Sequence, residues 1–157
     1  MAARLLEGRP VADAIWSEVS AGAEQFQLAA GRPATLALVS GADEAAAAYG
    51  RQIERQFARR GLAVSRATVE GPDFLDHLHG LNADVGIDGI LLLTPLPSGV
   101  SAEAAALAID PAKDVDGQHP MNLGRIGQRR PAFAPAGFLQ TATKPRNRRS
   151  FADPGSS

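Results

Sequence analysis

The sequence predicts an α/β protein in three layers (α/β/α), with a mostly parallel sheet between helices. IDGILLL (87–93) ends in a continuous rather than alternating apolar run, the pattern of a strand covered on both faces, as in a parallel sheet. ATLALVS (34–40) is a second short apolar run, bounded by Pro33 and Gly41. Between and around such runs lie segments of helical period, and strands alternating with helices imply right-handed βαβ units.

Each element has its own signal. Pro10 stands where a first helical turn accepts proline, and Val11, Ile15 and Val19 recur at helical spacing up to Gly31, giving a helix over about 10–30. After the 34–40 strand, Ala46, Tyr49, Ile53 and Phe57 form one stripe of a helix over 44–60. Arg51, Glu54, Arg55 and Arg59 fall mostly off that stripe, and Gly61 ends the helix. LAVSRATV (62–69) reads as a weaker strand, followed by a helix over about 72–83. TPLPSG breaks the 87–93 strand, and Ser101 caps a short helix with Glu103 in its first turn. PAKDVDGQHPMNLGR (111–125) reads as a polar loop, rich in residues that make turns. From about 140 the chain turns polar and basic without an apolar period, so 1–139 is expected to be one domain and 140–157 a disordered tail.

Composition excludes several classes of function. The 157 residues carry a formal net charge of −1, with 45% hydrophobic and 21% charged residues, which gives no reason to expect a nucleic-acid partner. Zero Cys removes disulfides, thiolate metal sites and cysteine nucleophiles together. No apolar run reaches membrane-spanning length and no signal peptide is visible, so no membrane partner and a cytoplasmic location are expected. His77 and His79, two apart on one helix, point to different faces, which is poor metal geometry, and no metal site is expected. Neither a G-x-x-x-x-G-K-[ST] loop nor G-x-G-x-x-G is present.

Ligands of open α/β sheets gather at the carboxyl ends of the strands. SGADEAAAAYGRQI, LLLTPLPSG and KDVDGQHPMNLGR should converge there, bringing Tyr49, Asp114, Asp116 and His119 to one small-molecule cleft. In order, LLEGRPVADAI, YGRQIERQFARRGL, IDGILLLTPLP, PAKDVDGQHPMNLGRI and FAPAG resemble the N-terminal catalytic domain of the methylenetetrahydrofolate dehydrogenase/methenyltetrahydrofolate cyclohydrolase family, over roughly residues 4–139. The resemblance implies a reduced folate as ligand, with Tyr49 stacking on its ring system and Asp116 binding the amino edge of the pterin. It implies one-carbon chemistry, a homodimer or heteromer, and use of NADP or NAD through a C-terminal Rossmann domain. The chain is expected to lack that domain and so to bind no cofactor of its own.

Four positions depart from the family pattern. Ile53 stands where the family has its catalytic Lys, Leu93 where it has the Gln that hydrogen-bonds that Lys, and Ala46 where it has Ser; Thr94 replaces the usual Leu. A Gln or Ser facing a lost amine would forfeit a partner at about 1–3 kcal/mol each, so the apolar changes are physically consistent with one another. No catalytic residue is therefore assigned, and Arg55 is no substitute base because a guanidinium stays protonated. The expectation is an impaired homologue that still binds folate. The alternatives are an active single-domain cyclohydrolase with His119 or Asp116 as relocated base, and a non-enzymatic interaction domain. Asp114 and His119 are read first as loop-fixing residues.

Overall fold

The computed structural model describes residues 8–134. The start of LLEGRPVADAI, the end of FAPAG and the 140–157 tail lie outside them. Among the described residues a three-stranded parallel sheet has the order β2-β1-β3, formed by β1 (Thr35–Ser40), β2 (Ala63–Thr68) and β3 (Gly89–Leu92). Thr35 pairs with Ala63 on one side of β1, and Leu36 with Gly89 on the other.

The crossovers run from β1 through α2 (Glu44–Ala58) to β2, then from β2 through α3 (Asp73–Ala83) over β1 to β3. They travel in opposite directions across the sheet. Sharing one hand, they must lie on opposite faces, and the core divides accordingly. Leu36 and Leu38 of β1 pack with Ala46 and Leu93 on the α2 face, where Ile53, Phe57, Val64 and Leu91 complete the cluster. Ala37 and Val39 pack on the other face with Phe74 and Leu78 of α3 and with Ala105 and Ala108 of α4 (Ala102–Ala108). A strand whose alternate residues both meet helices needs an unbroken apolar run, the signal that 34–40 carries. The sheet thus lies between two helical layers, as the sequence predicts.

Element ends follow local chemistry. Asp43 caps α2, its Oδ1 accepting from Ala46 N at 2.7 Å. Ser101 caps α4, its Oγ accepting from Ala104 N at 3.1 Å. Gly31, at φ 70°, closes α1 (Arg9–Ala30) in the left-handed conformation that favours glycine. β3 is shorter than the expected 87–93, because Ile87 N donates to Asp84 O in a turn before the strand begins. Leu93, one residue past its end, still donates to Val39 O at 2.8 Å.

Two expectations need correction. Val11 and Ile15, taken as the apolar stripe of the first helix, are 62% and 56% exposed. The inward face is instead that of Trp16 and Ala23: Trp16 meets Phe57 edge-on at 6.2 Å between centroids, and the Arg60 guanidinium lies 3.8 Å from the centre of its ring. The segment read as a polar loop contains a further helix, α5 (Pro120–Gly127). Its asparagine and glycines hide it from a reading by propensity, but Pro120 at the first turn suits a helix start and the His119 side chain caps it.

Candidate functional site

The chain after β1 enters α2 on one face of the sheet, and the chain after β3 leads to α4 on the other. That divergence leaves a crevice at the carboxyl ends of β1 and β3, the general ligand position of open α/β sheets. A cavity of about 370 Å³ lies there, lined by Ala45, Ala46 and Tyr49 of α2, by Leu91–Thr94, and by Asp116. A second cavity of about 450 Å³ adjoins it, sharing Leu92, Thr94 and Asp116 and extending to Leu96, Glu103 and Gln118.

Tyr49 and Asp116, 67 positions apart in the chain, thus line one cavity. Tyr49 is 55% exposed, which takes it out of the core stripe that Ile53 and Phe57 join. An aromatic left this open at a crevice is available to stack on a flat ring. Next to it, Gly50 is buried, and a Cβ there would lie 3.3 Å from Leu93 Cδ1, so α2 approaches β3 closely.

Asp116 is placed by the loop before α5. Ile90 N donates to Lys113 O at 2.7 Å, in a parallel bridge that continues the sheet by one residue pair, Ile90 with Asp114. Asp114 is 2% exposed, and its Oδ2 accepts from His119 N at 2.8 Å and from Asn122 Nδ2 at 3.0 Å. Asn122 Nδ2 also donates to Pro111 O at 2.9 Å, tying α5 to the start of the loop. Gly117, at φ 66°, then turns the chain just after Asp116. Lys113 is used up elsewhere, its Nζ donating to the carbonyls of Leu81, Asn82 and Asp84 at 2.8–2.9 Å.

The remaining sequence-predicted residues fall in different places. Ala46, Ile53 and Leu93 come together in the apolar cluster of the α2 face, and Ala46 and Leu93 also line the smaller cavity. Leu93 is 5% exposed, and Ile53 is not among the residues lining either cavity. His119 lines neither cavity, and its Nδ1 accepts from Met121 N at 3.0 Å as the cap of α5. Among the described residues no group of His, Cys, Asp or Glu is arranged to hold a metal ion, and no helix is long and apolar enough to cross a membrane. Sequence reasoning missed Gln118, whose Nε2 donates to Asp116 Oδ2 at 3.1 Å. Its position just beyond the Gly117 turn was the available signal.

Residues 6–116 match the family described as tetrahydrofolate dehydrogenase/cyclohydrolase, catalytic domain. The Bifunctional protein FolD of Sorangium cellulosum is 41% identical over 137 residues, covering 83% of this chain and 47% of its own. That of Salinibacter ruber is 37% identical over 138 residues, covering 85% and 46%. Among solved structures, the FolD methylenetetrahydrofolate dehydrogenase/cyclohydrolase of Campylobacter jejuni superposes with a TM-score of 0.79 at 26% identity, over 90% of this chain and 52% of that one. A 5,10-methylenetetrahydrofolate dehydrogenase from the silkworm Bombyx mori gives the same TM-score at 28% identity. The chain spans about half the length of the curated relatives it matches.

Proposed function

The chain belongs to the tetrahydrofolate dehydrogenase/cyclohydrolase family through its catalytic domain, and from that membership we propose that it binds a reduced folate of one-carbon metabolism in the crevice between β1 and β3, with little or no turnover. The observation that carries this reading is the meeting of Tyr49 and Asp116 in one cavity whose wall includes the apolar Ala46 and Leu93, themselves clustered with Ile53.

In this reading the Tyr49 ring stacks on the pterin and the Asp116 carboxylate accepts from its N–H edge. A carboxylate facing donors in a partly water-free cleft makes a strong, charge-assisted contact. Gln118 supplies an N–H to Asp116 Oδ2, fixing the carboxylate before ligand arrives. Turnover is a separate matter. Interconverting one-carbon forms requires a group that accepts or delivers a proton, and the saturated side chains of Ile53 and Leu93 do neither. General acid–base help is worth about 10²–10⁴ in rate, and without it a bound folate is held more than processed. The reading assigns no dinucleotide site to residues 8–134, whose strand-to-helix turns have no glycine-rich phosphate loop.

The test is calorimetric titration of the chain with tetrahydrofolate and its methenyl form, repeated on Asp116→Ala, with methenyl hydrolysis followed by absorbance. Expected are measurable binding, a loss of roughly tenfold to a hundredfold in Asp116→Ala (about 1.5–3 kcal/mol for a hydrogen bond to a charged group), and hydrolysis no faster than in buffer. No heat with either folate would remove the folate reading. Hydrolysis well above the buffer rate would restore an active enzyme, with Asp116 the first candidate for its base.

A further inference from the structure

Away from the crevice, a cavity of about 320 Å³ lies between the 111–112 turn, α5 and residues 131–133, and it shares no lining residue with the two cavities described above. The turn after α5 shapes it. Arg129, at φ 57°, takes the left-handed place that usually goes to glycine. Its N donates to Ile126 O at 2.9 Å, and Arg130 N donates to Arg125 O at 2.8 Å. The residues that follow, Pro131 to Phe133, line the cavity together with Pro111 and Ala112. Two polar side chains complete the lining, Asn122 and Arg125. Asn122 is 1% exposed. Its Nδ2 donates to Pro111 O at 2.9 Å and to Asp114 Oδ2 at 3.0 Å, which fixes the orientation of the amide, since a flipped amide would set oxygen against oxygen. Oδ1, on the other branch, is buried and has no partner among the described residues. Arg125 is exposed and forms no ion pair among the described residues.

We propose that this cavity is a second binding site, for a small carboxylic acid that carries an N–H or O–H donor on the carbon next to its carboxyl group, the class of α-amino and α-hydroxy acids. Three features point the same way. Buried polar groups are nearly always partnered, so an orphan acceptor on a cavity wall marks a place for a donor. A guanidinium matches a carboxylate through two parallel N–H bonds, and no carboxylate lines this cavity to compete for Arg125. Asn122 and Arg125 stand three positions apart on α5, neighbours on one side of a helix. A ligand that meets both must therefore hold its donor and its anion close together, which a donor on the adjacent carbon does. The remaining walls, two prolines, two alanines and the Phe133 ring, suit a short apolar side chain and offer no further polar partner. The site is independent of the folate crevice, so either can fail without the other.

The experiment is an NMR titration of the whole chain, labelled with nitrogen-15, at constant ionic strength. The probes are alanine, lactate and propionate, the last having the carboxylate without the donor. Alanine or lactate should move the Asn122 side-chain amide resonance and the backbone amides of Ala112 and Arg125 saturably, and leave that of Tyr49 in place. Propionate should bind about fivefold more weakly, the size of one neutral hydrogen bond. Arg125→Gln alters an exposed side chain and spares the bonds of Asn122; it should weaken alanine or lactate about tenfold, the size of a hydrogen bond to a charged group. Saturable binding with both differences would establish the site. No saturable shift with any probe would overturn it. Equal binding of propionate would remove the part given to Asn122 Oδ1, and binding untouched by Arg125→Gln would remove that given to the guanidinium; either overturns the proposal.

Discussion

Asp114 and Asp116 are two positions apart in one loop. Asp114 is 2% exposed and holds His119 N and Asn122 Nδ2, whereas Asp116 borders both cavities and accepts only from Gln118 among the described side chains. The two cases follow from what a buried carboxylate requires, since it must be fully hydrogen-bonded to be tolerated. Asp88 is a third case, at the other end of β3. It accepts from Arg32 Nη1 and Nη2 at 2.7 and 2.9 Å and from Thr35 N at 2.8 Å, clipping the start of β1 to the start of β3. The hydrogen bonds from Arg32 hold its carboxyl below the ordinary Asp value; partial burial opposes them, and the Thr35 amide and the Lys113 charge assist. A carboxyl whose folded pKa is lowered contributes stability that is present above the unfolded value, ~4, and is lost as pH falls through the lower folded value. Asp88→Asn should therefore lower stability most at neutral pH and flatten the acid limb below about pH 4, where the protonated wild type and the variant converge. Urea denaturation at a series of pH values checks this, and an unaltered acid limb would count against the clip.

At the scale of elements, the contact between β3 and the loop carrying Asp116 decides how firmly the site is held. A Cβ at Gly89 would lie 2.5 Å from Val115 Cγ1, and the β-branched Val115 is restricted at χ1, so the loop or the side chain must shift. Gly89→Ala should destabilise the fold by about 1–3 kcal/mol through overpacking. Adding Val115→Ala should recover most of that loss, a coupling a double-mutant cycle reads directly; a neutral Gly89→Ala would show that the loop moves freely. Most elements were legible in the sequence because their own period and caps specify them. The helix expected over 44–60 is Glu44–Ala58, and the strand expected over 34–40 is Thr35–Ser40. α5 was not legible, since Asn122, Gly124 and Gly127 disfavour a helix locally. What favours it includes the bonds of Asn122 to Pro111 O and Asp114, partners 11 and 8 residues away.

At the scale of the whole molecule, α1 shows how far periodicity alone can mislead. Val11, Ile15 and Val19 share one face by spacing, yet Val11 and Ile15 face out while Trp16 packs against Phe57 and Arg60. Replacing Val11 and Ile15 together by Lys should change the unfolding free energy by less than about 0.5 kcal/mol each, as for surface positions generally. Trp16→Ala should cost about 2 kcal/mol, less than for a fully buried aromatic because Trp16 is only half-buried. Chemical denaturation of the variants separates the two cases. A loss from the lysine pair as large as that from Trp16 would mean that the exposed face of α1 is covered in solution.

The sequence by itself determined the fold class, the order of strands and helices up to α4, and the identity of Tyr49 and Asp116 as the residues to watch. Those features rest on local period, on caps and turns, and on motifs whose residues are close in the chain. Only the tertiary structure decided that Tyr49 stands clear of the core and borders the same cavity as Asp116, that Ile53 packs into an apolar cluster with Leu93 and lines neither cavity, and that His119 is occupied as a helix cap. Each of these depends on which faces of separate elements meet. The crossovers that bring α2, β3 and the 111–119 loop to one end of the sheet set those meetings, and no local pattern encodes them.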